Sequence, residues 1–430
     1  MFLTKSFTDG APRPVILCAR LFRVLFLFLF ATLPVTAQSV NCSGVSAWSA
    51  SSVNYGIGAL VTYSGSEYKC IQSHTSEAGW DPADAPALWQ LMGTCSASAT
   101  SSPTPKPTAT ATPTASVTPQ GAPKSKRQEL LNFINSISGR MTMAGEHNRE
   151  SQQGNFIQTM DNVTGDYPAL WGGDFLYEAD QIANRQNMIH YEIQGGKGGA
   201  LISLMYHACP PTQSEACAWK GGVLSSLSSA QWSDLVTNGG QLNNVWKSRL
   251  DSIAPYLQQI QNAGLPIIFR PFHEMNQCVF WWACHTGPNG TAKLYQITHD
   301  YLTNHWGLTN IVWVWSMQDI LDKSTGSYGF NEYDPGAAYW DVMSLDFYDG
   351  AGFTTAKYND MVAYAGNRPI AIGECQQLPT PSQLAAQPRW IYFMGWAELV
   401  QQNDSNAAIQ SIYWAPDVLT ENGNNKMPGW

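Results

Sequence analysis

Two acidic residues stand at the ends of two apolar runs, a hundred positions apart. Ile267-Ile268-Phe269 leads into Arg270-Pro271-Phe272-His273-Glu274, and Pro369-Ile370-Ala371-Ile372-Gly373 leads into Glu374. Two carboxyl groups delivered to one place suit cleavage of an acetal. One must hold a proton for the leaving oxygen, and the other must be ionised to attack or stabilise a sugar cation. A lone Glu at such a place is as readily a strand-end cap or an ion-pair partner. Two of them, set among many aromatic side chains, ask for a common purpose.

Composition narrows the partner. Charged residues are only 13% of the chain, while Trp (17) and Tyr (18) are abundant. Aromatic faces pack well on the C–H faces of neutral polyhydroxyl ligands. The formal net charge is −9, and past the N-terminus no run of Lys or Arg forms a cationic patch. Nucleic acid and anionic membrane are therefore poor partners. No paired CxxC and no Gly-rich nucleotide turn follows an early strand, so neither a metal nor another cofactor is called for. A monomer is expected.

The elements that must position these groups follow from the rest of the chain. Residues 1–37 read as a secretory leader. Lys5, Arg13, Arg20 and Arg23 precede an apolar run from Val24 to Leu33, and Val35-Thr36-Ala37 supplies small residues for cleavage. Export fits the cysteines, of which eight remain after Cys18. Cys209/Cys217 and Cys278/Cys284 are spaced as loop-closing pairs, and Cys42/Cys95 would bracket an early segment. Cys70 and Cys375 are then left as buried thiols, although spacing alone does not fix connectivity. Residues 96–125 are nearly all Ser, Ala, Thr and Pro, an extended tether that cannot build a core. It separates a small module, 38–95, from a large one, 126–430.

The small module carries Trp48, Tyr55, Tyr63, Tyr68, Trp80 and Trp89 among Gly and Ser, with two short strands around Ser64-Gly65. A core this small needs fewer rings than that. Trp80, with Tyr55 and Tyr68, is the candidate stacking strip for polysaccharide, and Trp48 and Trp89 are the candidate core. In the large module strand-like runs alternate with amphipathic helices. The strands expected are Met141–His147, Tyr167–Trp171, Ala200–His207, Pro266–His273, Asn310–Ser316, Asp341–Tyr348, Pro369–Glu374 and Ile409–Ala415. Eight such alternations predict an α/β fold, a (β/α)8 TIM barrel, whose chemistry sits at the C-terminal strand ends. Those ends gather Trp171 and Asp174, His207, Arg270, His273 and Glu274, then Trp282, Trp313, Asp346, Tyr348, Glu374 and Trp414.

The motifs Trp171-Gly172-Gly173-Asp174, His207 with its following prolines, Arg270-Pro271-Phe272-His273-Glu274-Met275-Asn276 with Phe280-Trp281-Trp282, Asp346-Phe347-Tyr348-Asp349 and Ile372-Gly373-Glu374 resemble glycoside hydrolase family 26, best known for endo-β-1,4-mannanases. The small module, through Ala47-Trp48, Tyr55, Tyr63-Ser64-Gly65, Tyr68, Gly79-Trp80-Asp81-Pro82 and Leu88-Trp89, is similar to carbohydrate-binding modules of families 5 and 12, which mostly bind chitin or cellulose. The first resemblance implies retaining hydrolysis of a β-mannan by a secreted enzyme, with Glu274 as acid/base and Glu374 as nucleophile. His207, His273, Arg270, Trp282, Tyr348, Trp414, Trp171, Asp174 and Asp346 would line the substrate site. Tyr206 and Cys278-Val279 depart from the family's usual aromatics at sugar-binding positions. A β-1,3-xylanase or mixed-linkage glucanase of the same family, and a polysaccharide-binding protein without activity, are the other readings.

Overall fold

In the computed structural model the described residues are 39–40, 42, 45–49, 53–76, 81–82, 85, 88–95, 125–148, 154–321, 328–423, 427 and 429. The leader, Trp80 and residues 96–124 of the tether lie outside them. The chain divides into two compact units, Met1–Ser116 and Val117–Trp430.

The first unit is built from β1 (Ser39–Val40), β2 (Asn54–Tyr55), β3 (Leu60–Tyr63), β4 (Ser66–Cys70), β5 (His74–Thr75) and β6 (Trp89–Cys95). One sheet runs β1-β6-β4-β3, and β2 pairs with β5. The β3–β4 hairpin turns on Ser64 and Gly65, both at positive φ, as a two-residue turn matched to strand twist requires. Val61, Cys70 and Trp89 are buried, and Trp48, Tyr55 and Tyr68 pack half-buried against them. Tyr55 and Tyr68 thus help to close the core, and Tyr55 packs edge-on to Trp89 at 5.1 Å. Among the described residues the unit buries three apolar side chains, a thin core. The Cys42–Cys95 disulfide reinforces it by about 4 kcal/mol in the chain-entropy treatment.

The second unit opens with α1 (Lys126–Ile137), started by the Ser125 side chain, which accepts from the Gln128 N–H. Eight parallel strands follow: β7 (Thr142–His147), β8 (Leu170–Asp174), β9 (Leu201–Met205), β10 (Ile267–Arg270), β11 (Ile311–Gln318), β12 (Val342–Phe347), β13 (Ile370–Cys375) and β14 (Trp390–Gly395). Each pairs with the next, and β14 closes on β7. A short β15 (Val418–Leu419) adds to the start of β7. Leu130, Ile134 and Ile137 of α1 join Met143, Ile268, Val312, Val342, Ala371 and Tyr392 in one apolar cluster. The N-terminal layers of the barrel are therefore apolar and covered, which leaves the other end for polar groups.

The eighth strand corrects the sequence reading. Ile409–Ala415 is not a strand. Its apolar residues fall on the helix Asn406–Tyr413, where the Ser405 side chain accepts from the Ala408 N–H. Ile409, Ile412 and Tyr413 are buried at i, i+3 and i+4, a helical stripe. The true strand is Trp390-Ile391-Tyr392-Phe393-Met394-Gly395, buried at every position. A strand covered on both faces is a continuous apolar run, as in the other seven, but the apolar stripe of a later helix was read as the strand in its place.

Trp171 is likewise corrected. It lies on β8 but faces the helices, stacked on Tyr191 of the helix Ala179–Gly198 at 4.9 Å, with its indole N–H on the Pro168 carbonyl. A methyl at Gly195 of that helix would sit 2.3 Å from the indole. Gly195→Ala gains up to ~1 kcal/mol of helix propensity. Overpacking of this kind costs about 1–3 kcal/mol, so the substitution is expected to lower the thermal unfolding midpoint by a few degrees. Calorimetry of the single variant checks this, and an unchanged midpoint would show that the indole has room to move.

Candidate active site

The C-terminal end of the barrel collects ionisable groups because strand alternation points them inward. Along β10, Ile267 and Phe269 face the helix layer, Ile268 joins the inner apolar layer, and Arg270 follows it. Along β12, Val342, Ser344 and Asp346 point inward in the same way. On β13 simple alternation would turn Glu374 outward. The pairing with β12 shifts register after Leu345–Ile372, so that Asp346 stands opposite Glu374. A bulge re-aims a side chain in this way. Gly373 permits it: a Cβ there would lie 2.3 Å from the Asp346 carboxylate and 2.7 Å from the Ser344 hydroxyl. Glu274 is turned into the cleft by a different device, a left-handed backbone at φ 50° just past β10. That conformation costs a non-glycine residue ~1–3 kcal/mol and persists only where surroundings enforce it. The Cys278–Cys284 disulfide and the hydrogen bond from the Cys284 N–H to the Met275 carbonyl close the following loop.

These devices bring three carboxyl groups together. One oxygen from each of Glu274, Asp346 and Glu374 lies within 4.8 Å of the other two. Arg270 bridges two of them, donating to Asp346 at 2.7 Å and to Glu374. The Tyr348 hydroxyl donates to the other Glu374 oxygen at 2.8 Å, and the Ser316 hydroxyl donates to Asp346. Burial pushes the Glu274 carboxyl well above its ordinary range, and the nearby Glu374 and Asp346 charges add to the rise. Burial and the Glu374 charge also raise Asp346 well above its ordinary range, although Arg270 and Ser316 pull against them. Asp346 accepts hydrogen bonds from both of those groups, whereas Glu274 lies outside the Arg270 bonds and is the group placed to keep the proton. Among the described residues this trio is the one set of carboxylates that could converge on a metal ion. Arg270 already supplies the positive charge to two of its members.

Next to the trio, Asp174 at the end of β8 accepts from the His207 N–H at 3.0 Å and bonds the His207 Nδ1. Burial alone would raise Asp174, but the His207 charge and hydrogen bonds outweigh it and hold the group low. The His207 ring packs edge-on to His273 at 4.3 Å. Burial, then the charges of His207 and Arg270, push His273 well below its ordinary range, so it is neutral. A cavity of about 420 Å³ opens here, lined by His147, Asn148, Asp174, Tyr177, His207, Trp219 and Trp396.

The expected aromatic platforms are not where sequence put them. Trp282 is fully buried, stacked on Phe280 at 4.6 Å, and its indole N–H holds the His273 carbonyl. Trp313 packs against Phe269 and Tyr295. Tyr206 is buried against Trp246 and donates to Glu215. Trp414 is 63% exposed, but its indole N–H bonds the Thr164 carbonyl just before β8, and it precedes β15, which pairs with the start of β7. It therefore sits at the opposite end of the barrel. The cleft takes its aromatics from residues the sequence reading passed over. Trp396 follows β14 and stacks on His147 at 4.2 Å, and Trp219 follows the Cys209–Cys217 disulfide. His147, at the end of β7, was recognisable by the strand-end rule. Trp396 was hidden with the missed strand, and Trp219 lies in a loop without a pattern.

The comparisons with known proteins agree with this architecture. Residues 117–422 match glycosyl hydrolase family 26, and residues 47–90 match carbohydrate-binding module family 5/12. A mannan endo-1,4-beta-mannosidase of Thermothelomyces thermophilus is 24% identical over 314 residues, covering 70% of this chain and 61% of that protein. The chain spans between about half and three-fifths of the length of the first curated relatives it matches. A solved structure from a Muricauda species, described as GH26A, is 31% identical with a TM-score of 0.66, and it covers 70% of this chain and 98% of that one. The small unit matches chitinase A1 of Niallia circulans at 55% identity over 56 residues, 13% of this chain and 8% of that protein.

The electrostatic cause of the Glu274 shift has a direct check. Glu374→Gln removes the nearest like charge, so the Glu274 carboxyl is expected to titrate lower than in the wild type. It should still lie above an ordinary glutamate, because burial, the larger cause, remains. Carbon-13 NMR titration of the side-chain carboxyl measures both.

Proposed function

This chain belongs to glycosyl hydrolase family 26, and from that membership and the convergent carboxyl groups we propose that it is a secreted enzyme hydrolysing internal β-1,4 linkages of mannan-type polysaccharides with retention of configuration. The observation that carries the mechanism is the approach of Glu274 and Glu374 oxygens to within 4.8 Å. Retaining enzymes hold their two carboxyl groups about 5 Å apart, whereas inverting ones leave room for a water. Glu374, held by Arg270 and Tyr348, attacks the anomeric carbon. The glycosidic C–O bond breaks as Glu274 gives its proton to the leaving oxygen. A glycosyl ester forms on Glu374. Glu274, now ionised, takes a proton from water as that water attacks the same carbon, and Glu374 leaves as a carboxylate. The neutral His273 and the Asp174-bound His207 border this point with hydrogen-bonding groups, and Trp396 and Trp219 offer ring faces to the sugar.

Mannan as the substrate rests on the curated relatives, several of which are mannan endo-1,4-beta-mannosidases. The leader at 1–37 would direct export, and the tether at 96–125 would join the binding module at 38–95 to the catalytic unit at 126–430. That module would hold the enzyme on insoluble polysaccharide and raise the local concentration of the catalytic unit.

Four measurements test the proposal. Glu374→Ala should lower kcat by about four or more orders of magnitude, since nucleophile and charge stabilisation go together; a loss below roughly tenfold rejects the assignment. Proton NMR of the first turnover on a mannan oligosaccharide should show the β-anomer, and an α-anomer would reject retention. Removal of residues 38–125 should spare hydrolysis of soluble mannan and weaken that of insoluble mannan, and equal rates on both would remove the module's role. Release of sugar from β-1,3-xylan or mixed-linkage glucan in preference to mannan would move the substrate elsewhere in the family.

A further inference from the structure

We infer that the buried ion pair between Asp319 and Lys357 is a positioning unit for Tyr348, setting the hydroxyl that donates to Glu374. This inference rests on Glu374 being the nucleophile. Asp319 follows β11 and is 1% exposed, and Lys357 lies in the first turn of the helix Thr355–Ala365 and is 4% exposed. A lysine there stands at the wrong end of the helix dipole, where cations are disfavoured. Its side chain is nevertheless fully committed, with Nζ donating to Asp319 at 2.7 Å, to Asp349 at 2.7 Å and to the Gly352 carbonyl at 2.9 Å.

Asp319 spreads that anchorage over the end of β12. Its second carboxylate oxygen accepts from the backbone N–H of Tyr348 at 3.1 Å and of Asp349 at 3.2 Å. Its own N–H donates to the Asp346 carbonyl at 3.0 Å. Asp319 thus grips the chain on both sides of Phe347, between the residue paired with Arg270 and the residue that touches Glu374. Nothing else described fixes the Tyr348 backbone in this way. With one carboxylate oxygen on Lys357 and the other on the two amides, the pair defines where the phenol begins, and the phenol reaches Glu374 Oε2 at 2.8 Å. Displacement of a catalytic contact by about 1 Å can cost ~100-fold in rate.

A mere staple for the loop would give a different pattern, and a double-mutant cycle separates the two. Lys357→Met, Tyr348→Phe and the double variant are assayed on soluble mannan, with thermal unfolding followed in parallel. Lys357→Met is expected to lower kcat by about 10- to 100-fold, the scale of a misplaced catalytic contact, while KM moves little. In the Tyr348→Phe background the same substitution should cost less than about twofold, because the contact it sets is already gone. Losses that multiply in the double variant, or a raised KM with kcat unchanged, overturn the inference. If Lys357→Met does not fold, Asp319→Asn takes its place in the cycle with the same criteria. Glu374→Ala, measured alongside, separates the two failures. An active Glu374→Ala removes the nucleophile on which this depends, whereas an inactive one with an additive cycle removes only the positioning role.

Discussion

Arg270 is the group on which the catalytic end of the barrel depends. It is buried, and its two terminal nitrogens reach two buried carboxylates on neighbouring strands. A buried charge without a partner is costly, and loss of one member of a buried pair typically destabilises by about 3–5 kcal/mol. Two anions this close would repel strongly without the guanidinium, and its planar fork can serve both at fixed geometry. One cation cannot serve three anions. The third carboxyl, Glu274, lies within reach of both others but outside the Arg270 bonds, so the trio settles with a proton there. Glu274 and Glu374, the proposed acid and nucleophile, differ by partner, although both are glutamates at strand ends.

The backbone around the trio is irregular where the chemistry needs it. A regular β13 would send Glu374 to the helix layer, and a regular exit from β10 would not carry Glu274 at a positive φ. The register shift at Gly373 and the left-handed turn at Glu274 are both held by neighbours that leave little freedom: Asp346 and Ser344 crowd the first, and the Cys278–Cys284 loop follows the second. Strain at a site is kept only where rigid elements surround it, and a barrel closed by β14 on β7 supplies such elements.

Much of this was legible in the residues. Seven of the eight strands showed as apolar runs, and the gathering of Arg270, Glu274, Tyr348 and Glu374 showed because polar residues at the ends of such runs have little structural reason to be there. Direction was not legible. Trp282 was placed in the right loop, whereas Trp171 and Trp313 lie on the right strands but in their N-terminal halves; residues along a strand also alternate between axis and helices, and these three indoles fill the helix layer or the floor of the cleft. Trp414 failed for another reason: a helix was read as the eighth strand, which moved an exposed ring to the wrong end of the barrel. Two of the three disulfides followed close spacings, whereas the grip of Asp319 on Tyr348 joins groups 29 positions apart and has no motif.

The same partner rule extends beyond the trio and accounts for how the cleft limits its charge. Asp174 has His207, Asp346 and Glu374 share Arg270, and Asp319 has Lys357. Glu146, on β7, has neither a cation nor a hydrogen bond on either oxygen, and burial, then the Asp404 and Glu398 charges, push it well above the carboxylate range. It is held neutral for the same reason as Glu274, desolvation without a cation. The difference is access. Glu146 is sealed beside Gly395 and can give its proton to nothing in the cleft, while Glu274 stands where Glu374 faces it. A raised carboxyl is therefore common to buried acids that lack a cation, and what singles out Glu274 is an anion within 4.8 Å.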